Sequence, residues 1–593
     1  MFLVTLIRRI PSYILVLIVL TALILMLIAA RGDSAIADEQ AHIPAGYGYV
    51  SQLDYRLNPE HPPLLKAAAA FPLLFLHLNF PTNDKSWTTE VNGQWDMGTQ
   101  FLYNSGNNAD TILFVARLAP ILLTLVLGIF IYVWSSEFLG TWWALLPALL
   151  TLFSPNFLGN GHYVTTDVAA VFGFVIGLYF FCHLLEENSR GNVIRAGIAL
   201  GIAELMKFST ILLPPFFVLL VIIHALTTHR YSRRTYLAML VWVFLIAGVT
   251  IYIPYFLTTL HYPIYRQIAD TATLLSGINN PLLTHAIITM ASSSFLRPFG
   301  EYFLGVAMVV QRTVGGNTAY FLGNVANFAH WYYFPVVFFY KEPIPSLILM
   351  GWAFLLSLSS LMRCAPRMWG RVIHSFIRFH FTEFTMLLFA VLYFANAMAS
   401  NLNIGLRHIL PTIPFFYMLT AKELKQWTAW KPVGGFQEII IEFKKNGIRL
   451  ISIILLLVWY CVETFSAAPL FLSYFNEFAG GTWSGYHIVT DSNYDWGQDL
   501  KRLAAWTHTH HVDHIAVDYF GGGSPSYYLG GAFEPWWSAK GVPQGFFAIS
   551  VNKLQLASSP AEPPLTTDNS YAWLKKYTPI ARAGASIFIY HIP

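Results

Sequence analysis

The segment at residues 33–66 concentrates residue types that can carry out acid–base chemistry. It contains adjacent carboxylates at Asp38 and Glu39, followed by the run DYRLNPEHPPLLK at residues 54–66. Neighbouring side chains point to different sides, so one carboxylate of the pair can face a cleft while the other holds the backbone. A carboxylate near an apolar membrane surface is partly desolvated, which raises its pKa towards the range of a general base. The alternative is an acidic pair that simply faces water.

The end of the same segment has residues that suit a phosphate. Pro62 and Pro63 stiffen the chain and remove backbone donors, which fixes the direction of Glu60 and His61. Lys66 is expected at the membrane–water boundary, where its ammonium could neutralise a lipid phosphate as a compact point charge. Ordinary snorkelling of an interfacial lysine explains the position equally well.

Later charged residues extend the set of candidates. Asp167 begins a predicted span, where it could be a second acidic site residue or a helix N-cap. Lys207 lies three residues after Glu204 on a predicted span, so it could pair with that acid or reach a lipid phosphate. Arg407 and His408 lie on an outer turn, where an arginine indicates phosphate binding or pairing with an outer carboxylate.

Aromatic residues with a nearby lysine form the last candidate group. Tyr332, Tyr333 and Lys341 could flank a donor substrate. Tyrosines at this depth also form interfacial belts, and that explanation is favoured for the two tyrosines.

The elements that must position these residues are membrane helices. The 593-residue chain is 55% hydrophobic and 11% charged, with a mean hydropathy of +0.52, whereas soluble proteins carry about 25% charged residues. This composition excludes a string of soluble domains, and apolar runs of nearly 20 residues predict an all-α polytopic membrane protein with about 11 spans. The predicted spans lie near 11–30, 112–134, 140–153, 167–185, 194–209, 211–228, 236–257, 344–361, 384–400, 408–421 and 450–468.

The sparse basic residues predict the orientation of the chain. An excess of Lys and Arg marks cytoplasmic loops, and Arg8 and Arg9 precede the first span, while Arg363, Arg367 and Arg371 share one later connection. The N-terminus is therefore predicted in the cytoplasm of a bacterial-type inner membrane. The predicted transmembrane domain covers 1–468 and has large outer loops at 31–110 and 258–343.

The tail at 469–593 has a different pattern. Short apolar stretches alternate with Gly- and Pro-rich turns, which predicts a soluble α/β domain on the periplasmic or extracellular side. The run Gly521–Gly522–Gly523 lacks the spacing and the strand–helix context of a dinucleotide site. No basic patch with interleaved aromatic residues indicates nucleic acid.

The acidic pair and the 54–66 run resemble the phospholipid carrier-dependent glycosyltransferases. This is glycosyltransferase family 39 in the broad sense, which includes protein O-mannosyltransferases and lipid A aminoarabinose transferases. The resemblance continues in weaker segments along nearly the whole chain: SPN at 154–156, VTTD at 164–167, KFS at 207–209, WYYFP at 331–335, LRHILP at 406–411, YFNE at 474–477 and DSNYDWGQD at 491–499.

The resemblance implies a GT-C fold with the active site at the outer membrane face, a polyprenyl-phosphate-linked sugar donor and inversion at the anomeric carbon. By position, Asp38 and Glu39 match the family's catalytic acidic motif. Residues 60–63 resemble the Glu-Lys-Pro-Pro motif of the aminoarabinose transferases, in which Glu helps to bind a metal and Lys meets the lipid phosphate. Here His61 replaces that Lys, which leaves Lys66 or Lys341 for the phosphate and a divalent cation at Glu60 as a candidate cofactor.

The resulting hypothesis is an inverting glycosyltransferase that moves a sugar from a polyprenyl phosphate to a hydroxyl of a glycan, lipid or protein acceptor. A transporter or flippase of lipid-linked sugars is the first alternative, although it would place ions and broken spans at the membrane midplane. A membrane-anchored envelope assembly protein is the second, and it leaves the 54–66 run unexplained. The predicted site residues are Asp38 and Glu39 for catalysis, Lys66, Lys207, Lys341 and Arg407 for the donor phosphate, Asp167, His61, Tyr332, Tyr333 and His408 for substrate, and Glu60 for a metal.

Overall fold

The computed structural model describes residues 2–429, 436–562 and 570–593, and most of these residues are helical. Eight helical stretches in the described part of the chain are long and apolar enough to cross a membrane. Stretches of about 20 apolar residues match the roughly 30 Å hydrocarbon core of a bilayer, which confirms the predicted all-α polytopic class. The eight are Arg9–Gly32, Ala109–Leu139, Asp167–Glu186, Phe208–Thr228, Arg233–Thr258, Ile344–Met362, Phe381–Ala399 and Asn446–Ala467.

The α-helices and strands follow one another in four stretches. The first contains α1 (Phe2–Gly32), α2 (Ala37–Tyr47), α3 (Leu64–Ala70), α4 (Lys85–Thr88) and α5 (Gln94–Thr99). The second contains α6 (Ala109–Leu139), α7 (Leu145–Leu152), α8 (Pro155–Gly161), α9 (Asp167–Glu186), α10 (Arg190–Met206), α11 (Leu213–Thr228) and α12 (Arg233–Thr258). The third contains α13 (Ile264–Leu274), α14 (Pro281–Ser292), α15 (Arg297–Gly315), β1 (Ala319–Phe321), β2 (Asn324–Ala326), α16 (Tyr333–Lys341), α17 (Ile344–Met362), α18 (Trp369–Phe379), α19 (Phe381–Ala399), α20 (Ile413–Thr428) and α21 (Phe436–Ala467). The tail contains α22 (Leu500–Thr509), β3 (Ile515–Asp518), α23 (Pro525–Leu529), β4 (Phe533–Pro535), β5 (Gly545–Ser550), α24 (Val551–Ser558), β6 (Ala561–Glu562), β7 (Ala581–Ala583) and β8 (Ile587–Ile592).

Three predicted spans correspond to shorter helices. The spans predicted at 140–153, 194–209 and 408–421 correspond to α7, α10 and α20, which have 8, 17 and 16 residues. α7 ends two residues before Ser154, and Pro155 begins the separate helix α8 because proline is tolerated in a first helical turn. α10 ends where Lys207 adopts an extended backbone. By length and composition, the described residues thus contain eight candidate spans, against the roughly 11 predicted.

Close packing around α9 forms the centre of the bundle. Fifteen of the 20 residues of α9 are buried, and this helix lies against α6 and α10. A Cβ atom on Gly173 would lie 3.0 Å from the Cα of Ala203, and one on Gly201 would lie 2.5 Å from the Cβ of Thr250. Small residues at these crossings let the helix backbones approach closely, which favours tight association inside a membrane.

The tail forms a five-stranded sheet with strand order β4-β3-β5-β8-β7. β3 runs parallel to β4 and β5, whereas β8 is antiparallel to β5 and β7. Leu500 and Leu503 of α22 belong to the same buried cluster as Ile515 of β3 and Ile589 of β8, and this arrangement confirms the predicted C-terminal α/β region. A second, smaller sheet joins β1, β2 and β6.

The junction between α1 and α2 is bound to the tail by backbone and side-chain hydrogen bonds. The Ser34 hydroxyl donates to the Gly497 carbonyl at 2.7 Å, and the Ala37 amide donates to the Trp496 carbonyl at 3.0 Å. Because Ala37 begins α2, the tail fixes the start of the helix that carries Asp38.

Candidate functional site

A cavity of about 360 Å³ collects most of the chemically interesting residues of the sequence. Its walls come from α2, α5, α9, α15, α16, α19 and the segments at 58–61, 207–212 and 402–408. The structure therefore brings together residues from distant parts of the chain that the sequence analysis considered separately. The predicted residues that line the cavity are Asp38, Glu60, His61, Asp167, Lys207, Arg407 and His408.

Two carboxylates and two cations form an ion cluster in this cavity. Nη1 of Arg407 lies 2.8 Å from Oδ2 of Asp38 and 3.5 Å from Oδ2 of Asp167, and Nζ of Lys207 lies 2.6 Å from Oδ1 of Asp167. Arg407 thus pairs with two carboxylates, which agrees with one of the two interpretations of this residue from the sequence. Lys207 pairs with Asp167, whereas Glu204 accepts a hydrogen bond from Tyr302.

The two acids of the cluster differ in accessibility. The side chain of Asp38 is 23% exposed, whereas that of Asp167 is 2% exposed. Asp167 is the first residue of α9, and Thr166 occupies the N-cap position. The Asp167 carboxylate therefore acts on the two cations rather than as an N-cap, and Asp38 is the acid that a substrate can reach.

Arg407 is held in place by the tail of the chain. The preceding Leu406 amide donates to Oδ1 of Asn493 at 2.9 Å, and the Arg407 guanidinium lies 4.3 Å from the centre of the Trp496 ring. Burial alone would lower the pKa of Arg407, but Asp167 and Asp38 raise it above its ordinary value. The buried Nε of Arg407 has no hydrogen-bond partner among the described residues, so this permanently charged group keeps one free donor.

The histidines of the site are neutral. Burial is the main cause that lowers the pKa of His42, His61 and His408, and nearby cations add to the effect at His61 and His408. Nδ1 of His42 lies 2.7 Å from the Val164 carbonyl, and its ring packs edge-on against His61 with centroids 4.8 Å apart. Positive charge in the cavity therefore comes from Arg407, Lys207 and Arg312, which all line it, rather than from imidazole.

The remainder of the cavity wall is largely apolar. Rings and aliphatic side chains from four parts of the chain form a lining beside the ion cluster, which leaves a site that is polar on one side and apolar on the other. These residues include Phe208, Ile211, Leu212, Met308, Val309, Val310, Phe334, Ala397, Leu402 and Ile404.

Glu39 lies outside the cavity, although it is adjacent to Asp38. Its side chain is fully buried, and its two oxygens accept from Nε and Nη2 of Arg117 at 2.8 and 2.6 Å. The same carboxylate accepts from the Ile36 and Val164 amides at 3.1 Å each. Glu39 thus caps the start of α2 and binds this helix to α6, which fixes the backbone beside Asp38.

Two predicted phosphate-binding lysines are also buried away from the cavity. Nζ of Lys66 donates to the Tyr49 hydroxyl at 2.8 Å and to the His61 and Asn58 carbonyls at 2.7 and 2.9 Å. Burial holds the pKa of Lys66 well below its ordinary value. Lys66 thus shapes the turn that presents Glu60 and His61.

Lys341 has a similar role at the tail. Its Nζ donates to the Leu472 and Asn493 carbonyls at 2.8 and 2.6 Å, and burial lowers its pKa to about 7. The Asn493 side chain donates to the Tyr333 hydroxyl at 3.1 Å, so Tyr333 is also a buried support. Tyr332 is 37% exposed and lies outside the cavity lining.

Glu60 is hydrogen-bonded to two side-chain amides. Its carboxylate accepts from the side-chain amides of Gln94 and Asn92 at 2.5 and 3.2 Å. Within the described ranges, no group of three or more His, Cys, Asp or Glu side chains is placed to hold a metal ion. A divalent cation at Glu60 stays a prediction, and no step below depends on one.

Two residues that support the cavity were not predicted from the sequence. Arg117 lies inside an apolar run. A charged residue in such a run usually pairs with another charged group, so the position of Arg117 indicates a nearby acidic partner. Trp496 belongs to the quoted DSNYDWGQD segment, but only the folded tail reveals its contact with Arg407.

The chain is similar to lipid-dependent glycosyltransferases. The family described as dolichyl-phosphate-mannose-protein mannosyltransferase matches residues 109–252, which confirms the resemblance predicted from the motifs. No curated protein sequence matches the chain.

Solved structures give similarities of low sequence identity. ArnT from Cupriavidus metallidurans bound to undecaprenyl phosphate is 13% identical, with 97% of each chain covered and a TM-score of 0.46. The oligosaccharyltransferase AglB from Archaeoglobus fulgidus, in complex with an inhibitory peptide and a dolichol-phosphate, is 12% identical over 97% of this chain and 74% of its own, with a TM-score of 0.44. The S. cerevisiae protein O-mannosyltransferase Pmt1-Pmt2 complex bound to the sugar donor is 16% identical over 46% of this chain and 37% of its own, with a TM-score of 0.32.

Proposed function

We propose that this chain, which resembles the phospholipid carrier-dependent glycosyltransferases, transfers a sugar from a polyprenyl phosphate to an acceptor hydroxyl. The observation that carries the proposal is the two-sided cavity, where the Asp38–Arg407–Asp167–Lys207 cluster adjoins an apolar wall. A lipid-linked sugar has the same division into an anionic phosphate and an apolar tail. The family that matches residues 109–252 is described by a donor of this class, dolichyl-phosphate-mannose.

Asp38 is the proposed general base. It is the more accessible of the two acids in the cluster, and it lies beside the cation that would hold the donor phosphate. The acceptor hydroxyl would give its proton to Asp38 while its oxygen bonds to the anomeric carbon. The bond from that carbon to the phosphate oxygen would break, leaving its electron pair on the polyprenyl phosphate and inverting the anomeric centre.

Arg407 and Lys207 are the proposed phosphate ligands. A phosphate leaving group is already stable as an anion, so positive charge can take the place of a general acid. The free Nε of Arg407 is a donor that no described residue satisfies, and a phosphate oxygen would satisfy it. Asp167 would then act as a positioning residue, because it holds both cations at the cavity wall.

The apolar wall is the proposed groove for the lipid tail. Phe208, Ile211 and Leu212 lie directly after Lys207, so the same turn offers a charge for the phosphate and apolar surface for the first isoprene units. Burying such a chain is favourable in proportion to the apolar area removed from water.

The proposal is tested with Asp38→Asn and the matched control Asp96→Asn, which changes an exposed acid of the same outer segment. Membranes that contain each variant are incubated with a panel of polyprenyl-phosphate-linked sugars, and transfer is followed by mass spectrometry of glycans, lipids and proteins. We expect Asp38→Asn to lower transfer by at least about 100-fold, in the range of a lost general base, and Asp96→Asn to leave it unchanged. Wild-type transfer by Asp38→Asn would overturn the role of Asp38.

The same mass spectrometry, applied to cells with and without the protein, distinguishes a glycosyltransferase from a transporter. Cells that lack the protein should lose a sugar from one acceptor class. Unchanged glycans, together with lipid-linked sugar that accumulates on one leaflet, would instead support a transporter of lipid-linked sugars.

A further inference from the structure

A second cavity of about 470 Å³ lies at the far end of the helix that carries Asp167. Asp167 lines the first cavity and Glu186 lines the second, and these residues are the first and last of α9. At about 1.5 Å per residue, their Cα atoms are roughly 28 Å apart along the helix, which is close to the 30 Å hydrocarbon thickness of a bilayer. The second cavity therefore lies at the opposite membrane surface from the proposed active site.

The ends of four helices enclose this cavity. Polar contacts join neighbouring helices in the ring. Lys425 on α20 donates to the Phe138 carbonyl of α6 at 3.4 Å, and Lys422 on α20 lies 2.7 Å from Glu383 on α19. Thr382 on α19 donates to Glu186 on α9 at 3.3 Å, and His183 on α9 lies 3.4 Å from Glu137 on α6. The cavity is therefore a formed feature of the bundle rather than a gap between loops.

Charges of both signs in the ring lack ionic partners. Glu186 is exposed and has a hydroxyl as its partner, and Lys425 has a carbonyl as its partner; in the described part of the chain neither forms a salt bridge. Trp134 is a fully buried wall residue whose indole Nε1 has no acceptor among the described residues. The cavity thus offers carboxylate acceptors for a cation and N–H donors for an anion.

An apolar edge connects the cavity with the membrane surface. Phe379, which lines the cavity, is 71% exposed and ends the amphipathic helix α18, none of whose residues is buried. An amphipathic helix with basic residues on its polar face is typical of an element that lies in the plane of the membrane interface. Nζ of Lys422 lies 5.3 Å from the ring of Phe376 on the same helix. A ligand in the cavity would therefore have its headgroup among charges and its chains beside Phe379.

We propose that this second cavity binds a phospholipid headgroup that carries both a phosphate and a primary ammonium, as in phosphatidylethanolamine. Glu137 and Glu186 would accept from the ammonium, and Lys425 would donate to the phosphate. A primary ammonium has three N–H donors, whereas the quaternary ammonium of phosphatidylcholine has none and phosphatidylglycerol has no cation. The site thus selects a zwitterionic lipid of the leaflet opposite the proposed active site.

The test uses the full-length protein, delipidated in detergent and titrated with short-chain phosphatidylethanolamine, phosphatidylcholine and phosphatidylglycerol. Thermal unfolding and native mass spectrometry report binding. We expect phosphatidylethanolamine to raise Tm most and to be retained most. The double variant Glu137→Gln/Glu186→Gln should weaken its apparent affinity by about tenfold or more, since it removes both carboxylates that accept from the ammonium.

Matched controls separate binding from folding. Glu187→Gln changes the exposed neighbour of Glu186, and Lys444→Met changes an exposed lysine outside the cavity lining; both should keep wild-type retention. Lys425→Met should lose retention while its Tm without lipid matches that of Lys444→Met. Equal retention of phosphatidylcholine, preference for phosphatidylglycerol, or competition by soluble phosphoethanolamine as strong as by the lipid would overturn the proposal.

Discussion

Adjacent carboxylates at positions 38 and 39 have contrasting surroundings, and this contrast predicts separable effects. Glu39→Gln removes the charge that balances fully buried Arg117, so we expect the free energy of unfolding to fall by about 3–5 kcal/mol. Asp38 is partly exposed, and Arg407 retains Asp167 when Asp38 is neutralised. Asp38→Asn should therefore cost no more than about 1 kcal/mol. Thermal and denaturant unfolding of purified protein measures both changes.

The same two variants are also expected to differ in transfer activity. Glu39→Gln molecules that remain folded should retain measurable transfer, whereas folded Asp38→Asn molecules should not. If Glu39→Gln keeps wild-type stability and loses transfer as completely as Asp38→Asn, the division between a supporting and a reacting acid would be wrong.

The buried histidines predict how stability depends on pH. Burial lowers the pKa of His61 and His408 below the ordinary value of 6.5, so below that pH the unfolded chain binds protons that the folded chain excludes. Stability is then full above pH 6.5 and falls as the pH drops towards the folded-state pKa, by up to about 1.4 kcal/mol per pH unit for each histidine. Unfolding measured at pH 7.5, 6.5 and 5.5 checks the slope.

A double variant isolates the histidine contribution. His61→Gln/His408→Gln should flatten the decline below pH 6.5, whereas His510→Gln, which changes an exposed histidine of the tail, should leave it unaltered. A wild-type slope in the double variant would show that other groups cause the decline.

At the residue scale, the sequence predicted three residues that the structure brings together in one cavity, namely Asp38, Asp167 and Arg407. Asp38 is predicted from the acidic pair and its motif, Asp167 as a second acid, and Arg407 because an arginine on an outer turn indicates phosphate binding or pairing with a carboxylate. The sequence could not tell which of Asp38 and Glu39 faces the cavity, since that depends on Arg117, 78 positions away. Residue types alone do not show which distant residues pair in the folded protein.

At the element scale, the triple glycine of the tail has a steric explanation. A Cβ atom on Gly522 would lie 2.3 Å from the Ile36 carbonyl oxygen, just before α2, and the Gly522 amide donates to the Ala35 carbonyl at 3.2 Å. Gly522→Ala must therefore displace the backbone that precedes Asp38. We expect transfer to fall by about 100-fold, the effect of a misplacement of roughly 1 Å at a reacting group, measured in the assay with polyprenyl-phosphate-linked sugars.

Another glycine of the tail provides the control for this change. Gly531→Ala adds a Cβ that meets nothing within 4 Å and requires no left-handed backbone, so it should retain wild-type transfer. Full activity in Gly522→Ala would show that the contact between the tail and the start of α2 does not position Asp38.

Hydropathy predicted the long helices because burial in lipid requires continuous apolar runs. The predicted span at 344–361 appears as Ile344–Met362, and that at 167–185 appears as Asp167–Glu186. The same signal predicted a full span at 140–153, where the structure has the eight-residue helix α7, because the apolar run extends beyond both ends of this helix. Hydropathy reports the environment of a segment, whereas helix ends depend on local backbone geometry.

At the scale of the whole molecule, the two cavities lie at opposite ends of one bundle. α9 contributes Asp167 to the first and Glu186 to the second. Acids at the first end meet Arg407 and Lys207, whereas Lys422 and Lys425 accompany acids at the second. Charged groups of both signs thus meet at each end of the bundle, which the small net charge of +4 does not reveal. The two proposed lipid sites depend on the two ends facing different leaflets.

Both proposed lipid sites depend on the predicted orientation of the bundle in the membrane. The positive-inside rule puts the connection that holds Arg371 in the cytoplasm and the segment that holds Asp96 outside, and both residues are exposed. In a background in which Cys182, Cys364 and Cys461 are replaced by serine, Asp96→Cys should react with a membrane-impermeant maleimide in intact spheroplasts. Arg371→Cys should react only after the membrane is permeabilised, because the reagent cannot otherwise reach the cytoplasm. The reverse labelling pattern would place the proposed active site on the cytoplasmic face, where the donor would have to be presented from the inner leaflet.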